Sequence, residues 1–139
     1  MSATIRSLGI AVVVLNLACG IHAQDRETCS NATLHGSYGL HATGTLPGGA
    51  PIAAVGRFEF DGEGNLKGRL FVRAGGNNMQ PPEFTGTYSV NPDCTMTDTW
   101  GPPVNSTHVA VIVDHGKGYA ILSNTMGSGE TISGDAKRQ

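Results

Sequence analysis

The stretch AVGRFEFDGEGNLKGRLFV, residues 54–72, decides the fold of this chain. On its two arms every second residue is apolar or glycine and the residues between them are mostly charged, a period of two that is typical of strands with one buried face. The segment DGEGN, residues 61–65, favours a chain reversal, because glycine tolerates positive φ and Asp and Asn bond their own backbone. The pattern predicts a β-hairpin in which Phe60 faces Leu66.

The same alternation continues along the chain and predicts an all-β protein. Turn residues such as Gly, Pro and Asn separate the alternating segments, and no segment has a helical period. Besides the two hairpin arms, strands are predicted at residues 34–43, 84–90, 94–100, 107–113, 119–123 and 131–137. Residues 74–82, which are rich in Gly, Asn and Pro, are predicted to form a loop.

A short motif recurs in these strands: large, any, Gly, any, large, any, large. It is found at residues 34–40, 66–72 and 84–90. Glycine on the apolar face of a strand indicates a sharp bend or a place where a neighbouring side chain needs room. A sheet that closes on itself needs both, and closure removes exposed edges. We therefore predict an eight-stranded antiparallel up-and-down β-barrel, whose interior is either filled by side chains or holds one small ligand.

The first residues are predicted to be a secretory signal peptide. Arg6 precedes an apolar run at residues 8–18, and a small residue ends the segment. We expect a signal peptide at 1–23 and a single domain at 24–139, exported to the periplasm or secreted; lipoprotein processing at Cys19 is the alternative. The apolar run is too short for a helical membrane span, and no later run is longer.

The charge balance argues against one class of partner. The full sequence has 9 Lys and Arg against 11 Asp and Glu, a formal net charge of −2, and removal of the leader takes away one Arg and no acid. Without a basic patch, binding to nucleic acid driven by electrostatics is not expected.

Two cysteines remain in the predicted mature chain. An exported chain meets an oxidising compartment, so we predict a disulfide between Cys29 and Cys94. The bond would close a loop of about 65 residues and contribute about 4 kcal/mol in the chain-entropy model. A reactive thiol is the alternative, but the sequence supplies no activating neighbour.

Alternation also predicts which side chains line the barrel. Asp98 shares parity with Met96 and Trp100, and a carboxylate among apolar groups needs a partner or a raised pKa, which often marks a functional site. The alternative is that the neighbouring threonines face inward and Asp98 is exposed. The candidate ligand-binding residues on the inner face are Tyr38, Phe58, Phe60, Tyr88, Asp98 and Trp100.

Catalytic and metal-binding motifs are not found in the sequence. It has no nucleophile elbow, phosphate loop, zinc spacing or nucleotide-binding glycine pattern. The DGEGN segment lacks the ligand series of a calcium loop, and the histidines are not spaced to bind one metal without partners from elsewhere in the fold. We therefore expect no metal and no cofactor, and the sequence names no catalytic residue.

Several motifs are similar to those of small exported bacterial proteins of unknown function. They are Cys29 with Leu34-x-Gly36-x-Tyr38, the segments 53–56 and 60–65, TGTYSVN at 85–91 with Asp93-Cys94-Thr95, and SGDAKRQ at 133–139. That group resembles the allene oxide cyclase barrel, a calycin-like fold whose plant members cyclise an unstable fatty-acid epoxide. The resemblance implies an eight-stranded barrel. It does not carry the activity, because the plant enzymes' catalytic residues have no matching positions here.

Three functions follow from these observations. The first is a non-catalytic exported barrel that binds a small apolar molecule, with Tyr38 and Tyr88 orienting the ligand. The second is a cyclase or isomerase in which Asp98 or a tyrosine steers charge. The third is a structural or partner-binding protein with an exposed apolar patch. The sequence does not determine the oligomeric state.

Overall fold

A computed structural model describes residues 28–125 and 127–139, and the predicted signal peptide lies outside them. Nine strands follow in chain order: β1 (His35–Thr45), β2 (Pro51–Asp61), β3 (Asn65–Ala74), β4 (Asn77–Met79), β5 (Phe84–Val90), β6 (Thr95–Trp100), β7 (Ser106–Val113), β8 (Gly118–Ser123) and β9 (Thr131–Arg138). Single 3-10 turns lie at Asn31–Thr33 and Asp114–Gly116. In the described part of the chain, no helix has the length and apolar content needed to cross a bilayer.

Eight of the strands form a closed antiparallel barrel. Each strand pairs with the next one around the ring, β3 pairs with β5, and β9 returns to pair with β1. The predicted eight-stranded up-and-down barrel is therefore confirmed. Closure satisfies the hydrogen-bonding groups that an open sheet would leave at its edges.

The ninth strand, β4, was not predicted. It lies in the segment 74–82, which the sequence interpretation made a loop, and it pairs with the end of β3. Gly75 and Gly76 both have positive φ, 55° and 89°, so they form a two-residue connection that brings Asn77 opposite Ala74. The prediction was wrong because a Gly-Gly pair is compatible with an irregular loop and with a tight hairpin turn, and here it forms the turn.

The central hairpin of β2 and β3 has the predicted register. Phe60 lies opposite Leu66 and Glu59 opposite Lys67. At the turn the Asp61 carboxylate accepts hydrogen bonds from the backbone N–H of Glu63 at 2.7 Å and of Asn65 at 3.0 Å. A short side chain thus satisfies backbone groups that the reversing chain leaves unpaired.

The end of the barrel that carries this turn, here called the closed end, is filled by aromatic side chains. Phe60 is at the centre, with ring centroids 5.3 Å from Tyr38, 4.9 Å from Tyr88 and 5.7 Å from Tyr119. All four residues are buried, and the three ring pairs meet edge to face, the geometry that aromatic quadrupoles favour. Ring against ring, these side chains pack the interior around Phe60.

A disulfide also lies at the closed end. Cys29 and Cys94 are bonded, with their Cα atoms 5.0 Å apart, as the sequence predicted. The bond joins the segment before β1 to the turn between β5 and β6. It therefore attaches the beginning of the described chain to the barrel.

Glycine on the inner face makes room for aromatic rings. A Cβ atom built on Gly68 would lie 2.7 Å from Phe58 Cε1 and 2.7 Å from Phe84 Cε2, closer than packed carbon atoms approach. The two rings cover the glycine from neighbouring strands, as in the rescue of strand glycines by aromatic residues. The recurring motif is thus explained at this position by close packing.

Candidate functional site

The half of the barrel opposite the disulfide, here called the open end, contains a cavity of about 620 Å³. Side chains of seven of the eight barrel strands, all except β5, form its wall, and Leu46, residues 80–82, Pro103, Val104 and Glu130 form its rim. Most of the lining residues are apolar, and no Lys or Arg is among them. The lining consists of Leu40, Ala42, Leu46, Ile52, Ala54, Leu70, Val72, Met79, Gln80, Pro81, Pro82, Trp100, Pro103, Val104, Ser106, His108, Ile121, Ser123, Glu130, Ile132 and Ser133.

The cavity exists because inner side chains become smaller toward the open end. On β2 the inward positions run from Phe58 through Gly56 to Ala54, and β1 similarly passes from a leucine to Ala42. On β8 the last inward residue is Ser123. Interiors of proteins are otherwise filled to crystal-like density, so a series of small residues at one end leaves space that the side chains do not occupy.

Three side chains form a hydrogen-bonded network at the floor of the cavity. The Asp98 carboxylate accepts a hydrogen bond from Trp100 Nε1 at 3.0 Å, and its other oxygen lies 2.6 Å from His108 Nδ1. Asp98 and His108 occupy directly opposed positions on β6 and β7, and both are buried. The Trp100 and His108 rings are in contact, with centroids 4.0 Å apart.

The network fixes the orientation and tautomer of the imidazole. The indole N–H of Trp100 can only donate, and an ionised carboxylate can only accept, so the His108 ring presents its Nδ1–H to Asp98. Among the described residues none hydrogen-bonds the other ring nitrogen, Nε2, and His108 lines the cavity. A carboxylate that orients a histidine in this way is the arrangement found where an imidazole accepts or donates a proton.

One further polar atom on the wall lacks a partner. Ser106 Oγ is buried and makes no hydrogen bond within the described part of the chain. Ser106 lies two residues before His108 on β7, so both face the interior. An unpaired buried hydroxyl is unfavourable unless something else satisfies it.

The tyrosines point away from this site. The Tyr38 hydroxyl donates to the carbonyl of Gly116, 2.5 Å away, and Tyr88 Oη lies 3.0 Å from the carbonyl oxygens of both Asn31 and Leu34. Burial raises the pKa of both phenols above the usual value. Burial and the Asp98 carboxylate together raise the pKa of Tyr119 far above its ordinary range. These phenols are neutral structural groups of the closed end.

The structure separates the residues that the sequence interpretation put together. Of the six candidates, Trp100 alone lines the cavity. Phe58 packs behind it, with ring centroids 4.7 Å apart, and Asp98 lies behind His108. Tyr38, Phe60 and Tyr88 lie at the closed end and do not line this cavity, so the ligand-orienting role expected for the two tyrosines is not placed at it.

His108 and Ser106 were missed by the sequence interpretation. β7 carries apolar residues on both faces, with Val109, Val111 and Val113 outward, and this valine series hides the inward parity of His108. The spacing of the two residues could have indicated the pair. Asp98 and His108 are both five residues from Pro103, so a β-hairpin that turns at Pro103 places them opposite each other.

A metal site is not indicated by the arrangement of ligating groups. Within residues 28–125 and 127–139, no three His, Cys, Asp or Glu side chains are grouped so as to hold a metal ion. The Asp98 carboxylate is hydrogen-bonded to both His108 Nδ1 and Trp100 Nε1.

Comparison with known proteins identifies the architecture. No protein-family model and no curated protein sequence matches this chain. Among solved structures, a de novo designed fluorescence-activating β-barrel matches 77% of this chain and 94% of its own, with a TM-score of 0.52 and 13% sequence identity. The chain has a β-barrel fold. A redesigned β-barrel matches 82% of this chain and 96% of its own, with a TM-score of 0.48 and 14% identity.

Proposed function

We propose that the protein is an exported barrel that holds a small, largely apolar molecule in the cavity at the open end. The observation that supports this most is a cavity of about 620 Å³, open to solvent at one end, with a mostly apolar wall. Sites for small molecules are typically about 300–1,000 Å³, predominantly apolar, with a few placed polar groups. His108 and Ser106 supply such groups here.

The wall suits binding because it is already formed. Its residues lie mainly on hydrogen-bonded strands, so little backbone ordering is needed when a ligand enters. Burying apolar surface contributes about 25 cal/mol per Å², and a concave wall removes more of the ligand from water than the outer face could. Val55 and Phe71 are about half exposed on that face.

The disulfide and the family resemblance support the remaining parts of the proposal. A disulfide persists in an oxidising compartment, which fits export directed by a signal peptide at 1–23. The resemblance to small exported proteins with an allene oxide cyclase-like, calycin-like barrel fits a barrel with a hollow end.

Binding is tested with the apolar fluorophore N-phenyl-1-naphthylamine. Trp100 is the only tryptophan of the chain and lines the cavity, so bound fluorophore should quench its emission by energy transfer. We expect saturable quenching with one site per chain. Ala54→Phe places a ring in the cavity and should weaken the affinity about tenfold or more, equivalent to about 1.4 kcal/mol, because the ring occupies space that the fluorophore needs.

The matched control is Ala53→Phe. Ala53 is the preceding residue of the same strand and faces outward, so the same substitution should leave the affinity unchanged. Equal binding by wild type and both variants would place the fluorophore outside the cavity and contradict the proposal.

A second candidate, a cyclase or isomerase, is favoured by the buried pair of Asp98 and His108. Neutral His108 Nε2 could take a proton from a carbon next to a carbonyl group and return it, with Asp98 stabilising the imidazolium formed in between. We expect wild-type protein to speed deuterium uptake at the α-carbon of 1-tetralone in D2O. His108→Gln should abolish that uptake, which mass spectrometry measures; equal uptake by both proteins would exclude this role.

A further inference from the structure

We infer that the molecule held in the cavity is an alcohol or phenol whose hydroxyl group hydrogen-bonds His108 Nε2 and Ser106 Oγ. The inference rests on the proposed function and specifies the ligand class. It starts from two polar atoms on a wall that is otherwise mostly apolar.

Both atoms lack a hydrogen-bond partner within the described part of the chain. They belong to residues 106 and 108 of β7, whose Cα atoms are about 7 Å apart because a strand rises about 3.3 Å per residue. A ligand that covered Nε2 without bonding it would add a desolvation cost, about 1–3 kcal/mol for an unpaired buried group, to the cost that Ser106 Oγ already has. The Ser106 hydroxyl is covered in the structure, so the proposed contact requires its side chain to turn toward the cavity, where one ligand oxygen could bond both atoms.

Charge selects a hydroxyl over a carboxylate. The Asp98 carboxylate lies directly behind His108, and Glu130 is at the rim. The cavity wall has no Lys or Arg to compensate a second anion. An acid would therefore enter an apolar site against two negative charges, which is unfavourable.

Donor and acceptor capacity leads to the same class. A hydroxyl donates one hydrogen bond and accepts two. It can donate to Nε2 of the neutral imidazole and accept from Ser106 Oγ. A ketone could accept from the serine but would leave Nε2 without a donor.

The test compares three ligands with one ring system: 2-naphthol, 2-methylnaphthalene and 2-naphthoate. Titration calorimetry near neutral pH should give 2-naphthol about tenfold or more tighter binding than the methyl isostere, because a site built around a hydroxyl rejects the analogue that lacks it. 2-Naphthoate should bind more weakly than 2-naphthol. Tighter binding of 2-naphthol would indicate hydrogen bonds to its hydroxyl group, because hydrophobicity alone would favour 2-methylnaphthalene.

Two variants assign the preference to these atoms. Ser106→Ala removes a hydroxyl that has no protein partner, so the fold should be kept, and the preference for 2-naphthol should fall several-fold. In Asp98→Asn the amide oxygen still accepts from Trp100, so the amide N–H₂ faces His108 Nδ1 and the ring proton moves to Nε2. Nε2 then donates, and the variant should shift its preference from 2-naphthol toward 2-acetylnaphthalene.

The possible outcomes distinguish the preference for a hydroxyl group from the proposed binding of an apolar molecule in the cavity. If 2-naphthol and 2-methylnaphthalene bind equally while both displace N-phenyl-1-naphthylamine, the hydroxyl inference is overturned and cavity binding stands. If none of these compounds binds, both fail. If Asp98→Asn does not fold, the Ser106→Ala result decides, and an unchanged preference there contradicts the inference.

Discussion

Replacing Phe60 by alanine should lower the free energy of unfolding by about 3–5 kcal/mol, the range for truncating a fully buried aromatic side chain. The ring is 4% exposed and meets three tyrosines edge to face. The hydroxyl groups of two of these tyrosines, Tyr38 and Tyr88, are hydrogen-bonded to backbone carbonyls. These bonds hold the two rings in place, so they cannot move freely into the cavity that the substitution leaves. Denaturant unfolding, followed by Trp100 fluorescence, measures the loss.

The matched control is Phe71→Ala. Phe71 lies on β3 with its side chain on the outer face, 48% exposed, and removing it should change stability by less than about 1 kcal/mol. A loss at Phe60 no greater than that at Phe71 would mean that the aromatic cluster does not form the core of the barrel.

Much of the fold could be predicted from alternation because parity fixes the face of each strand residue. The period of two around Phe58 and Phe60, with a turn segment rich in Gly, Asp and Asn, predicted the hairpin and its register. β4 was missed because the Gly75-Gly76 pair is compatible with a loop and with a tight hairpin. The hairpin forms because residues 77–79 pair with the end of β3. Sequence spacing alone does not show that pairing.

The site was less predictable because parity gives the face but not the height along the barrel axis. Tyr38 and Trp100 both point inward, yet one packs at the closed end and the other lines the cavity. Which end is hollow depends on the stagger of all eight strands. The decrease in inner side-chain size from Phe58 to Ala54 could have indicated the hollow end once the strand directions were known.

The two ends of the barrel have separate physical roles. Aromatic packing and the disulfide stabilise the closed end, and this allows the open end to keep a cavity at a cost in stability. The Asp98 network lies between them, since Trp100 contacts Phe58 on one side and the cavity on the other. Stability and ligand binding should therefore respond to different substitutions.

Removing the disulfide is the direct test of this division. The bond spans 65 residues, so Cys29→Ser combined with Cys94→Ser should lower the free energy of unfolding by about 4 kcal/mol through release of loop-closure entropy, measured as a lower denaturant midpoint. Reducing the wild-type protein with dithiothreitol should give the same loss. Where the reduced barrel remains folded, its affinity for N-phenyl-1-naphthylamine should be unchanged, because the cavity is at the opposite end. A parallel loss of affinity would show that the two ends are coupled.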